Sequence, residues 1–95
     1  MTNRKTLACN LIESVRDFNS KLNASYPAVS VICVNLNALK VEIHRGEDCI
    51  KSFDFSNISL NEWPALEHDL WYFLTDLILD LSLERQSEYN EDIPF

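Results

Sequence analysis

The spacing between apolar residues changes twice along this chain, and each change marks a change of backbone geometry. Near the start, Leu7, Leu11, Val15, Phe18 and Leu22 recur at steps of three and four. At about 100° per residue they share one face, widened by Ala8 and Ile12, as an amphipathic helix requires. Arg4, Glu13, Arg16, Asp17 and Asn19 fall on the other face. The helix is expected to stop near Asn23, because the residue before Pro27 is pushed out of the helical region.

From Ala28 the pattern becomes that of strands. Val29, Val31, Ile32 and Val34 predict a first strand, and their near-continuous apolar run implies a strand central in the sheet or buried on both sides. Asn35 to Asn37 reads as a turn. Residues 39–45 alternate, with Leu39, Val41 and Ile43 on one face and Lys40, Glu42 and His44 on the other, giving a second strand. Gly46, Glu47 and Asp48 then turn the chain into a third strand over residues 49–55.

Two registers compete in this hairpin. A three-residue loop pairs Val41 with Phe53 and Lys40 with Asp54, placing Phe53 and Phe55 on the core face. A two-residue turn at Gly46-Glu47 suits glycine at its first central position, but shifts every pair by one and turns both aromatics outward. Burial of the aromatics favours the first register.

Ser59-Leu60-Asn61-Glu62 is a capping box, and Pro64 falls in the first turn, where its missing donor costs little. A second helix is expected to run to about Gln86, with residues 87–95 as a flexible acidic tail. Its apolar stripe includes Leu66, Leu70, Leu74, Leu77 and Leu81. Beside that stripe, Asp69, Asp76 and Asp80 form one line, and Tyr72, Leu79 and Leu83 form another with the same i, i+7, i+11 spacing. Covering of this second apolar line by the first helix is the expectation that burial alone suggests. Left open, it is suited to a basic, partly apolar partner.

The expected fold is therefore α+β: a single domain over residues 1–95, ordered α-β-β-β-α, with a three-stranded antiparallel meander covered on one face by both helices. The order of elements resembles that of small acidic inhibitors encoded by phages and mobile elements, although no sequence motif carries the likeness.

Charge narrows the function classes. Residues 1–51 hold seven basic and five acidic side chains, whereas residues 52–95 hold only Arg85 against ten acids. A one-sided field of this kind attracts basic partners and repels polyanions, so direct nucleic-acid binding is not expected. Phosphate-cradling loops need several glycines, and the chain has one, Gly46. Cys9, Cys33 and Cys49 are odd in number and widely spaced, which suits reduced thiols in a cytoplasmic protein, with Cys9 and Cys33 as small core side chains. The most apolar stretch, residues 70–83, carries Asp76 and Asp80 and is too short to span a bilayer.

Neither His44 nor His68 has metal-ligand spacing to another His or Cys, so no metal or cofactor is expected. His44 and Cys49 flank one turn and resemble half of a thiol–imidazole pair, but no third group or oxyanion loop is evident. The expectation is a non-enzymatic inhibitor that covers a basic surface of a nucleic-acid-handling protein, as anti-CRISPR and anti-restriction proteins do. Its partner-binding residues would be Asp69, Tyr72, Asp76, Leu79, Asp80, Leu83 and Glu84. The alternatives are an acidic dimeric chaperone or assembly factor, joined through the last helix, and a toxin-neutralising immunity protein.

Overall fold

The computed structural model describes residues 3–34 and 39–91. In chain order the elements are α1 (Arg4–Ser25), β1 (Val29–Val34), β2 (Lys40–Arg45), β3 (Asp48–Asp54) and α2 (Trp63–Glu91). The three strands form one antiparallel sheet in the order β1-β2-β3, so the fold is the α-β-β-β-α arrangement read from the sequence. By contact, the chain divides into two units, Met1–Trp63 and Pro64–Phe95. The turn expected at residues 35–37 lies outside the described residues.

Within the first unit, Asn3 caps α1: its side-chain oxygen accepts from the Thr6 backbone N–H, leaving one fewer orphan donor. Leu11, Val15 and Leu22 form the buried stripe of α1, which packs on β1. Cys9 lies about 200° around the helix from Leu11 and is exposed, so it is not the core side chain expected of it. Cys33 is partly buried, and that burial pushes its thiol pKa upward against the opposing charge of Arg16.

β1 is an edge strand, contrary to the reading of its sequence as central or buried on both sides. Two successive short connections make β2 the middle strand, and Ile32, on the outer face of β1, keeps 39% of its surface exposed. Val29 and Val31 alone of the β1 apolar run are fully buried. The free edge is blunted from α1. Asn19 Oδ1 accepts from the Val31 N–H at 2.8 Å, and Asn23 Nδ2 donates to the carbonyls of Val29 at 3.0 Å and Pro27 at 3.1 Å. An edge with its polar groups occupied is a poor template for adding another strand.

The β2–β3 hairpin combines both of the competing registers. Gly46 takes a φ of +65°, which glycine adopts without a Cβ penalty, and Arg45 pairs with Asp48 across a two-residue turn. One pair further along, a β-bulge lets Ile43 face Lys51, leaving Ile50 as the extra residue, and from there Val41 pairs with Phe53 and Lys40 with Asp54. Phe53 and Phe55 are consequently buried. At the other end of β2, Leu39 holds a strained φ of +30°. Its buried side chain, and its carbonyl accepting from the Phe55 N–H at 3.0 Å, keep it there.

The segment after β3 is tied back to α1. The Arg4 guanidinium donates to the Phe55 carbonyl at 2.8 Å and to that of Ile58, and lies 5.9 Å from the centroid of the Trp63 ring. Trp63 in turn stacks at a tilt on Phe55, with ring centroids 4.8 Å apart. Its buried indole N–H finds no acceptor among the described residues. An orphan donor costs about 1–3 kcal/mol. Burying an indole removes roughly 200 Å² from water, worth about 5 kcal/mol at 25 cal/mol per Å², so the burial wins.

In the second unit, α2 follows the expected capping box: the Ser59 N–H donates to Glu62 Oε2 at 3.0 Å, and the Glu62 N–H donates to Ser59 Oγ at 3.3 Å. Leu70, Leu74, Leu77 and Leu81 are its buried stripe. The helix continues to Glu91, five residues beyond the expected end at Gln86, so residues 87–91 are helical where a tail was expected. Residues 92–95 of that tail lie outside the described residues. No helix among the described residues is long and apolar enough to cross a membrane.

Two measurements test this description. Replacing Asn19 by Ala strips the Val31 N–H of its acceptor and should cost about 1–2 kcal/mol in urea unfolding, with an unchanged m value. For Asp54, hydrogen bonds from the Ser56 hydroxyl and backbone N–H, helped by the charge of Lys40, hold the carboxyl below the ordinary aspartate value. A depressed folded-state pKa adds stability above the unfolded-state value that fades as pH falls through the folded one. Ser56→Ala should raise the Asp54 midpoint toward 3.8 in an NMR titration and flatten its share of the acid-side stability slope.

Candidate functional site

The candidate site is a surface of α2, and its composition follows from helical geometry. With Leu70, Leu74, Leu77 and Leu81 buried, residues about a third of a turn or more away must face outward. Tyr72, Leu79 and Leu83 do so, retaining 70%, 57% and 62% of their surface. The expectation that this second apolar line would be covered is therefore corrected: the sequence has more apolar positions on α2 than the buried stripe uses. Isolated exposed leucines are ordinary. Three large exposed apolar side chains aligned over twelve residues of one helix form a strip along it.

Asp69, Asp76 and Asp80 are also exposed, along one flank of that strip, and Glu84 is exposed one turn beyond Asp80. All seven residues read from the sequence thus lie on the surface of one helix. Among the described residues, none of the three aspartates has an ion-pair partner. Their repulsion is small, a few tenths of a kcal/mol for each pair on adjacent turns, so the helix tolerates the row. What the row supplies is a negative border to an apolar strip.

One residue escaped the sequence reading. His68 lies one turn before Tyr72, and the two rings sit 6.4 Å apart at a tilt of 35°. The i, i+4 spacing was the available signal, since residues so placed are neighbours on a helix surface. His68 lengthens the exposed surface beside Tyr72 toward the helix start. Further along, Thr75 Oγ1 donates to the Trp71 carbonyl at 2.9 Å, so this hydroxyl is turned back onto its own helix.

The exposed surface of α2 offers an aromatic with a polar tip, two leucines and fixed negative charges, groups complementary to a surface that carries both cations and apolar groups. Comparison with protein-family models, with curated proteins and with solved structures returned no match to this chain.

The exposed and buried stripes of α2 should respond differently to mutation. Leu79→Ser combined with Leu83→Ser should leave unfolding free energy within about 0.5 kcal/mol of wild type per site. Leu74→Ala should cost about 2–5 kcal/mol. Urea titrations of the two variants read both.

Proposed function

We propose that this chain is a non-catalytic, acidic protein-binding inhibitor acting in the cytoplasm, where α2 docks on the basic surface of a nucleic-acid-handling protein and blocks it. An anti-defence role against a CRISPR or restriction system, encoded by a phage or mobile element, is the form we give this reading by analogy, and a toxin-neutralising immunity protein would use the same electrostatics. The observation that carries it is the uncovered strip of Tyr72, Leu79 and Leu83 bordered by Asp69, Asp76 and Asp80. A basic protein that normally binds polyanions meets in this helix a row of carboxylates in place of phosphates, with an apolar strip beside them to exclude water. Tyr72 is the anchor, because an amphipathic ring gives large contact area with few rotatable bonds. Glu84 extends the acidic border.

The apolar strip also supports a second reading, an acidic dimeric chaperone or assembly factor in which α2 pairs with its copy through Tyr72, Leu79 and Leu83. Salt separates the two readings. Docking by carboxylates weakens as salt rises, whereas pairing of apolar strips does not.

The test uses a partner captured from nuclease-treated bacterial lysate, then purified and titrated against the intact chain. Changing Asp69, Asp76 and Asp80 together to Asn should weaken binding about tenfold at low salt, from roughly 0.5 kcal/mol for each exposed charge pair, and flatten the salt dependence. Equal affinity and equal salt slope for wild type and variant would remove the inhibitor reading. A wild type that is dimeric by sedimentation, and monomeric as Leu79→Ser with Leu83→Ser, would establish the second reading instead.

A further inference from the structure

We propose that Glu42, His44 and Cys49, on the outer face of the sheet, form a zinc-binding site with one coordination position open to solvent. This site lies in the first unit and is independent of the docking surface on α2. One ligand-capable atom from each of the three residues lies within 4.8 Å of the other two. Glu42 Oε1 and His44 Nε2 are already 3.0 Å apart. Around a tetrahedral zinc, carboxylate, imidazole and thiolate donors lie roughly 3.3–3.6 Å from one another. Rotation of the exposed Cys49 side chain closes the remaining distance.

The donor set fits the ion chemically. A thiolate, an imidazole and a carboxylate are the ligand types zinc prefers, and the two anionic ligands balance a divalent charge. Binding displaces the thiol proton of Cys49, which otherwise donates to the Lys51 carbonyl at 3.5 Å. Two of the three donors stand on the central strand β2, and Cys49 is the direct cross-strand partner of His44. The sheet therefore holds the donor backbones in place before any ion arrives. With three protein donors, a water or an external ligand completes the tetrahedron.

The two-residue turn makes this cluster. In an unbulged three-residue hairpin Cys49 would pair with Arg45 and share the face of Phe53. The two-residue turn instead pairs it with His44, on the face that also carries Glu42, and the bulge at Ile50 returns Phe53 to the core face beyond it. A sequence scan for ligand spacing sees nothing here, since the donors converge across a strand pair. Lys40 opposes the ion: its Nζ lies 3.7 Å from Glu42 Oε2 and competes for that carboxylate.

Titration of the intact reduced chain with Co²⁺ as a zinc probe tests the site. One equivalent should produce a near-ultraviolet thiolate-to-cobalt band and visible bands of four-coordinate intensity, both erased by Zn²⁺. The signal should survive in Cys9→Ser with Cys33→Ser and vanish in Cys49→Ser. Loss of an outer-sphere partner alone can weaken metal binding 10–100-fold. His44→Ala and Glu42→Gln should each therefore weaken it by more than about tenfold, and Lys40→Met should tighten it. Circular dichroism of each variant confirms the fold; Cys49 is exposed, so its replacement leaves the core intact. Absence of stoichiometric binding by the wild type, a band that persists in Cys49→Ser, or an affinity indifferent to Glu42 would overturn the proposal.

Discussion

The requirement that Phe53 and Phe55 lie on the same face as Val41 and Ile43 governs the first unit of this protein. Each buried phenylalanine is worth about 1.5–3 kcal/mol, so a register that exposed both would forgo more than a domain of this size can spare. The glycine at position 46 favours a two-residue turn, whose register would expose them. The chain satisfies both demands by leaving Ile50 out of the ladder. An exposed residue that gives up its ladder bond loses about 0.5–1.5 kcal/mol, less than either aromatic contributes.

That local solution has effects beyond the core. It brings Cys49 across from His44, beside Glu42, and so creates on the outer face the cluster proposed to bind zinc. It also keeps Lys40 opposite Asp54, where its charge adds to the hydrogen bonds that hold the Asp54 carboxylate ionised. At the opposite edge of the sheet, the asparagines of α1 occupy polar groups of β1 that would otherwise invite a further strand. Asn19 and Asn23 read in sequence as polar residues of a solvated face and of a helix end. Their partners sit on a different element, and only the packing of α1 against β1 identifies them.

The two surfaces singled out differ in kind. On α2 the apolar strip and the carboxylates follow from the period of one helix, so each of their residues is legible in the sequence, and tertiary packing adds only their exposure. On the sheet the donors come from two strands and depend on which turn starts the hairpin, so the pair His44 and Cys49 could be suspected while Glu42 could not. Proximity within a helix is set by sequence spacing, whereas proximity across a ladder is set by register, and register answers to the burial of distant side chains.

The sequence by itself determined the order and type of the elements, because apolar period is a local property that each segment carries alone. It also determined the capping box of α2 and the face on which the acidic row would lie, for the same reason. The position of β1 at the sheet edge, the bulge at Ile50, the continuation of α2 to Glu91 and the exposure of Tyr72, Leu79 and Leu83 were decided only in the tertiary structure. The edge position of β1, the bulge and the exposed strip each depend on which of several apolar surfaces finds a partner, and that competition is settled by the whole chain.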